Sequence, residues 1–314
     1  MALRNSAQTL ITNGSGGANA MTMPSGVVAG DQLLAFLSGD SSGNSWSATG
    51  WTAIGGPTSN ATPDGQSFEC FTRVATGSEG GTQTFTYTGS GGVLCIITAH
   101  SGRASAALTS SNLVATANTS SNTSPVTMGA TGLTATSGDD LVAFYALDDG
   151  TTTDTFSYSA PTGFTVQQSN TANTNFNAGA LFTEDNVSAG ATGTITCTAT
   201  RTGSGTSGWC AYVVRIPAAG PTITSQPQAA TGIAGQTATF SVTATGSGGL
   251  SYQWRKNGSN IGGATSSSYT TPTLDMTYNG ALYDVIVTDS VGSVTSNTAL
   301  LKVIIVPAVA WLRA

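Results

Sequence analysis

The stretch "GDQLLAFLSGD" runs from Gly30 to Asp40, and "GDDLVAFYALDD" runs from Gly138 to Asp149, about 108 positions later. Both place a Gly-Asp pair ahead of a mostly apolar run. Glycine supplies the unusual backbone angle of a tight turn, and aspartate accepts hydrogen bonds from nearby amides. A run that is apolar on both faces is typical of a central strand in a sandwich. The repetition predicts that one structural unit occurs twice in this chain.

Three further landmarks recur in the same order. They are "ATGWTAI" (48–54) with "PTGFTVQ" (161–167), "CFTRVATGSEGGTQTFTYT" (70–88) with "LFTEDNVSAGATGTITCT" (181–198), and "GGVLCIITAH" (91–100) with "SGWCAYVVRI" (207–216). Four landmarks in one order indicate a tandem duplication. Trp51 and Phe164 hold the same place in the two copies, and we expect each to fill the core of its unit. "TQTFTYT" and "TGTITCT" alternate threonine with other residues, mostly apolar or aromatic, which predicts strands with one solvent-exposed and one buried face.

Short runs of Val, Ile, Thr, Phe and Tyr recur along the chain and are separated by Gly, Ser, Asn, Asp and Pro. No window shows the apolar spacing of an amphipathic helix. This rhythm predicts an all-β protein, with two tandem duplicated β-sandwich units of jelly-roll-like type. Hydrophobic residues make up 39 % of the chain, which is enough for cores, so disorder is not expected.

A third segment follows "AAGPTITSQPQ" (218–228), whose prolines and glycine mark a linker or an edge strand. "GQTATFSVTATGSGGLSYQWRKNGSNI" (235–261) and "NGALYDVIVTDSVGSVTS" (279–296) then supply paired strands. This segment resembles a bacterial or phage-type immunoglobulin-like domain. The resemblance implies a core tryptophan at Trp254 and a corner tyrosine at Tyr283. It also puts Val242 and Val285 where such domains often carry a disulfide.

We therefore predict four parts of the chain. Residues 1–110 and 111–219 are the two sandwich repeats, 220–306 is the immunoglobulin-like domain, and 307–314 is an apolar tail. The tail carries Trp311 and Leu312, which either pack on their own domain or dock on a partner.

Charged residues make up only 8 % of the chain, the net charge is −6, and the arginines are scattered. A nucleic-acid binder needs clustered Lys and Arg, so this class is not expected. The N-terminus has no apolar run typical of a secretion leader, and no stretch has the length of a membrane span. We expect a chain made in a reducing cytosol, where its four cysteines are buried thiols rather than bridges. Zinc ligation is not expected either, because no CxxC pair and no neighbouring histidine is present.

Residues suited to catalysis are few. His100 ends an apolar strand, and we interpret it as structural, since no Gly-x-Ser-x-Gly motif accompanies it. The densest acidic cluster is Asp139, Asp140, Asp148, Asp149 and Asp154. Its spacing does not match a calcium loop, so turn formation is preferred to calcium binding. A glycosidase pair of carboxylates is a weaker alternative still. We expect no catalytic residues, no metal and no cofactor.

Trp46 lies in the polar stretch "SSGNSWSATG" (41–50) and is the candidate for a surface aromatic that stacks on sugars. The alternative is that Trp46 caps its own sandwich.

The order "VVAGDQLLAFL … GWT … VATGSEGG … TFTYT" resembles a β-sandwich segment of structural proteins from tailed bacteriophages and prophages. This resemblance implies a virion surface protein, either a capsid decoration protein or a tail-associated accessory protein, assembled in the host cytoplasm and released by lysis. Its expected partners are other virion proteins, further copies of itself and a host surface glycan, without nucleic acid or membrane insertion. A carbohydrate-binding adhesin of a bacterial surface is the alternative, and a polysaccharide depolymerase is the third.

Overall fold

The computed structural model describes residues 3–11, 15–40, 45–59, 66–90, 93–104, 107–121, 125–148, 155–170, 178–185, 187–202, 207–246 and 249–306. The chain divides into two compact units, residues 1–218 and 219–314. The first unit contains both sandwich repeats, so the sequence boundary near residue 110 lies inside one compact body.

The first repeat consists of eight strands. They are β1 (Leu3–Ile11), β2 (Ser15–Thr22), β3 (Gln32–Asp40), β4 (Trp46–Ser47), β5 (Thr52–Ser59), β6 (Gln66–Val74), β7 (Thr82–Ser90) and β8 (Val93–His100). One antiparallel sheet has the order β1-β8-β3-β6-β5, and the other has the order β2-β7-β4. Early and late strands alternate across both sheets, which is the jelly-roll arrangement.

The second repeat opens with a 3-10 helix, Ser110–Asn112. Its strands are β9 (Leu113–Ser121), β10 (Val126–Thr131), β11 (Thr134–Ala135), β12 (Asp140–Asp148), β13 (Phe156–Ser159), β14 (Thr165–Asn170), β15 (Ala178–Glu184), β16 (Gly190–Ala191), β17 (Thr194–Arg201) and β18 (Ser207–Ile216). Its sheets have the orders β14-β15-β12-β18-β9 and β10-β17-β13, with β11 paired to β16. Strand for strand, this is the order of the first repeat, and the predicted duplicated all-β fold is confirmed.

The repeated Gly-Asp phrase forms the same turn in both copies. Gly30 has a φ of 88° and Gly138 a φ of 89°, a region that L side chains rarely adopt. The Asp31 carboxylate accepts the backbone N–H three residues before it at 3.0 Å, and the Asp139 carboxylate does the same at 2.7 Å. The turn therefore needs both residues of the phrase, which explains why the chain uses it twice.

The strand that follows this turn faces two cores. In β3, Leu33, Ala35 and Leu37 point into the core of the first repeat. Leu34 and Phe36 point the other way, into a core that includes Val142 and Phe144 of the second repeat.

The large sheets of the two repeats therefore pack face to face. The rings of Phe36 and Phe144 stack there with centroids 5.2 Å apart. Unit 1 is a stack of four β layers that enclose three cores, and the inner core belongs to both repeats. Because each repeat hides one face of its large sheet against the other, we expect neither to be stable alone.

The second unit is an immunoglobulin-like sandwich. Its strands are β19 (Thr222–Ser225), β20 (Ala230–Ile233), β21 (Thr239–Ser241), β22 (Thr243–Thr245), β23 (Ser251–Lys256), β24 (Ser259–Asn260), β25 (Ser268–Thr270), β26 (Leu282–Thr288), β27 (Ser293–Thr295) and β28 (Ala299–Ile304), with a 3-10 helix at Met276–Tyr278. One sheet has the order β20-β28-β26-β23-β24, with β27 also on β26, and the pairs β19-β22 and β21-β25 lie opposite. The β20–β28 pair is parallel, and the other pairs are antiparallel.

The core of this unit is aromatic at its centre. Trp254 and Tyr283 are fully buried, and the ring of Phe240 lies 4.6 Å from that of Tyr283. The indole N–H of Trp254 donates to a backbone carbonyl at 2.9 Å. Val242 and Val285 belong to the same core, so apolar packing holds the sheets together where related domains often use a disulfide.

All four cysteines are buried free thiols, and burial raises the pKa of each. Within the described ranges, no helix has the length and apolar character needed to cross a membrane.

Candidate functional site

His100 lies at the end of β8, opposite Gln32 in the β3 register. It is fully buried, and its Nε2 lies 3.0 Å from the Thr98 hydroxyl. Its Nδ1 lies 4.0 Å from Oδ2 of Asp140, which belongs to the second repeat. The structure thus brings the histidine near a carboxylate of the other copy, but inside the protein.

Arg103 completes this buried cluster. Its Nη2 lies 2.5 Å from Oδ1 of Asp140, and its Nη1 donates to the carbonyl oxygen of Gly138 at 2.6 Å. The Arg103 side chain is 1 % exposed and that of Asp140 is fully buried. An ion pair so deeply buried needs close geometry and further hydrogen bonds to offset desolvation. The geometry is close, and the bond from Arg103 to Gly138 is one such further hydrogen bond.

This cluster exists because the two copies differ at two equivalent positions. Where the first repeat has Gln32 opposite His100, the second has Asp140 opposite Ile216. Each copy therefore contributes one ionisable group to the cluster, and Arg103 of the connecting segment pairs with the carboxylate.

Burial and the nearby Arg103 charge lower the pKa of His100 to about 3. The imidazole is neutral near pH 7 and has no exposed surface. A general acid or base must reach its substrate and must titrate near the working pH. His100 meets neither requirement, and the cluster it belongs to connects the two repeats.

The prediction that Trp46 is a surface aromatic is wrong. Trp46 is 4 % exposed, and its ring stacks on that of Tyr87 with centroids 4.5 Å apart. The reason is its strand: β4 pairs Trp46 with Tyr87 of β7, and this register turns the side chain inward. Its backbone N–H donates to Glu69 at 3.2 Å, and burial raises the pKa of Glu69 to about 7. Trp46 caps its own sandwich, which was the alternative.

The remaining core and tail residues predicted from the sequence have the following places in the structure. Trp51 and Phe164 are 8 % and 9 % exposed and lie in the cores of their repeats. Tyr283 is buried, but its hydroxyl has no hydrogen-bond partner among the described residues, so only its packing matches a corner tyrosine. Trp311 and Leu312 lie outside the described residues.

The aspartates that form one acidic cluster in the sequence have different surroundings in the structure. Asp139 accepts the backbone N–H of Ala218 at 3.1 Å and lies 3.5 Å from Arg215, while Asp140 belongs to the buried cluster. Asp149 and Asp154 lie outside the described residues. In the part of the chain that the structure describes, no group of three His, Cys, Asp or Glu side chains could hold a metal ion.

Sequence reasoning missed a groove on the second repeat, which we call the Glu184 groove. It has a volume of about 440 Å³ and lies between the 161–164 turn, the 187–192 loop and β17. Glu184 is its one charged lining residue, and burial raises the pKa of this carboxyl group. The sequence signal that could have pointed to this groove is the change from "FTRV" (71–74) to "FTED" (182–185) between otherwise matching stretches.

No family model and no curated protein matches the chain. Among solved structures, the titin domains Z1Z2 in complex with telethonin match 60 % of this chain and 100 % of their own, with 18 % identity and a TM-score of 0.32. The N-terminal Ig1-2 module of the Drosophila receptor protein tyrosine phosphatase DLAR matches 57 % of this chain and 98 % of its own, with 16 % identity and a TM-score of 0.25. A chimeric titin Z1Z2 carrying a decorin peptide matches 28 % of this chain and 96 % of its own, with 27 % identity and a TM-score of 0.25. The immunoglobulin-like assignment of the second unit rests on its own strand order and core.

Proposed function

We propose that this chain is a non-enzymatic structural protein of a bacteriophage virion surface, either a capsid decoration protein or a tail-associated accessory protein. It attaches by non-covalent docking, in several copies, to other virion proteins. Its immunoglobulin-like unit is available for weak adhesion to a host surface glycan. It is assembled in the host cytoplasm and released by lysis.

The observation that carries this proposal is the paired jelly roll with a shared core. Jelly rolls are frequent in viral capsid and lectin domains. Fold alone does not assign a function, so the chemistry of the site matters as well. The cluster that combines a histidine with a carboxylate is fully enclosed, which suits attachment better than turnover.

The sequence resemblance to tailed-phage proteins also supports the proposal of a virion protein. A protein that leaves the cell by lysis needs no disulfides, and all four cysteines here are buried thiols. Many copies on one particle would also turn a weak contact into firm adhesion, because the effective concentration is high.

The test is whether the chain is a stoichiometric part of the particle. Particles from the source culture are banded by density, stripped of loosely bound protein and quantified by peptide mass spectrometry. We expect many copies of the chain per particle and no release of reducing ends from host polysaccharide.

The other two functions give different results. A bacterial adhesin binds cells without any particle and remains with the cell envelope fraction. A depolymerase releases reducing ends. Recovery of the chain outside the particle band would overturn the virion assignment.

A further inference from the structure

We propose that the Glu184 groove of the second repeat is a saccharide-binding site, in which the Glu184 carboxylate accepts hydrogen bonds from sugar hydroxyl groups. This site is separate from the weak adhesion proposed for the immunoglobulin-like unit. It does not depend on where the chain is assembled.

In the first repeat, an ion pair occupies the loop side of the same place, and a smaller cavity of about 380 Å³ remains between residues 47–49 and β7. Arg73 in β6 lies opposite Leu33, as Glu184 in β15 lies opposite Leu141, so the two side chains are equivalent. Arg73 forms an ion pair with Glu79 at 3.1 Å and donates to Gln83 at 3.3 Å.

The second repeat replaces all three members of this cluster. The backbone N–H of Ala75 donates to the carbonyl of the turn aspartate in the first repeat, as that of Val187 does in the second. Counting from this matched pair, which shifts the threonine-rich strands by two residues from their sequence match, the positions of Glu79 and Gln83 are taken by Ala191 and Ile195. Ala191 cannot fill the space of a glutamate, and Ile195 cannot accept a hydrogen bond. The ion pair is lost, space opens, and one carboxylate is left at its edge without an ion-pair partner among the described residues.

The position of Glu184 is held by the turn beside it. Gly163 has a φ of 89°, and a Cβ there would lie 2.7 Å from Oε1 of Glu184. Gly50 of the first repeat also has a positive φ, 79°, but a Cβ there would lie 3.8 Å from Nη1 of Arg73, an ordinary contact distance. The absence of a side chain at Gly163 therefore leaves the room that the Glu184 carboxylate occupies.

The lining of the groove selects a class of ligand. Apart from Glu184, its polar side chains are hydroxyls, those of Thr162, Ser188, Thr192, Thr194 and Thr196. Pro161 and Phe164 supply an apolar side.

A metal ion of the calcium type takes six to eight oxygen ligands, usually with several carboxylates, and one carboxylate does not provide them. A neutral polyol fits better, because its hydroxyls donate strong hydrogen bonds to a carboxylate and exchange others with threonine hydroxyls. The C–H face of a sugar ring suits the apolar side. The volume of about 440 Å³ lies in the range of small-molecule sites.

The experiment titrates the full chain with D-glucose, D-galactose, D-mannose and N-acetyl-D-glucosamine, each up to about 50 mM, and follows amide shifts by NMR. We expect at least one sugar to shift the amides of residues 161–164 and 187–196. Glu184→Gln weakens binding about tenfold or more, because a hydrogen bond to a charged group is replaced by one to a neutral group.

Two further variants make the test specific. Asp185→Asn removes an exposed neighbouring charge and leaves binding unchanged. The triple variant E184R/A191E/I195Q copies the cluster of the first repeat, fills the loop side of the groove and abolishes binding while keeping the spectrum of a folded protein.

Three results would overturn the proposal. The first is the absence of shifts with all four sugars, and the second is a set of shifts that Glu184→Gln leaves unaltered. The third, from a parallel titration with ethanolamine, is binding of this amine in the groove in place of sugars. None of these results bears on whether the chain sits on a particle, so the virion proposal stands or falls separately.

Discussion

Replacing His100 with glutamine should remove a large part of the acid sensitivity of unit 1. In the folded protein, burial and Arg103 lower the pKa of His100 to about 3, whereas an unfolded chain has a histidine pKa near 6.5. Between pH 6.5 and pH 3, the histidine is therefore protonated in the unfolded state and neutral in the folded state. The stability that this histidine contributes is complete above pH 6.5 and is lost as the pH falls towards 3.

The size of this effect follows from the two pKa values. One pH unit corresponds to about 1.4 kcal/mol, so the full loss between neutral pH and pH 3 is about 5 kcal/mol. Between pH 7 and pH 5 it is about 2 kcal/mol, a range in which the protein should still be folded. Glutamine cannot titrate, and it can still bond to the Thr98 hydroxyl, so His100→Gln should lack this part of the pH dependence.

Native-state hydrogen exchange resolves the effect within unit 1. Exchange of amides in β8 and β12, corrected for the intrinsic rate at each pH, gives the free energy of opening. The wild type should lose about 2 kcal/mol more than His100→Gln between pH 7 and pH 5. Equal pH slopes in the two proteins would refute the view that His100 is held neutral by burial.

Three other predictions test the packing. Trp46→Ala should destabilise the first repeat by about 3–5 kcal/mol, because it removes a buried aromatic side chain, and Ser47→Ala should change little; unchanged urea denaturation of the tryptophan variant would contradict its burial. Phe144→Ala should cost about 3–5 kcal/mol and lower hydrogen-exchange protection in β3 as well as β12, since both strands line one core; loss confined to β12 would argue against a shared core. The four cysteine thiols should resist a thiol reagent at pH 8 in the native protein and all react in denaturant, and rapid native labelling would show that they are not enclosed.

Part of the candidate site could be anticipated by comparing the two repeats residue by residue. The exchange of Arg73 for Glu184 is visible in the sequence, and so is the loss of Glu79. What the sequence could not show is that these positions lie around one space, because they come from a strand and from the loop that follows it. The groove follows from how the 161–164 turn and the 187–192 loop face each other.

The error about Trp46 has a similar origin. Its flanking residues are polar, which is typical of a surface loop. A two-residue strand, β4, decides its direction instead, and that strand exists only because β7 lies beside it. A local pattern two residues long carries too little information to predict which way its side chain points.

By itself, the sequence determined the all-β class, the duplication, the Gly-Asp turns and the immunoglobulin-like end. These depend on alternation along a strand and on turn residues, which are local properties. Only the tertiary structure decided that the two repeats share a core, that His100 meets Asp140 and Arg103 in its interior, and that an open groove replaces an ion pair. Each of these depends on which surfaces are in contact after folding. Residues far apart in the chain become neighbours only when the apolar faces of their strands are buried against each other.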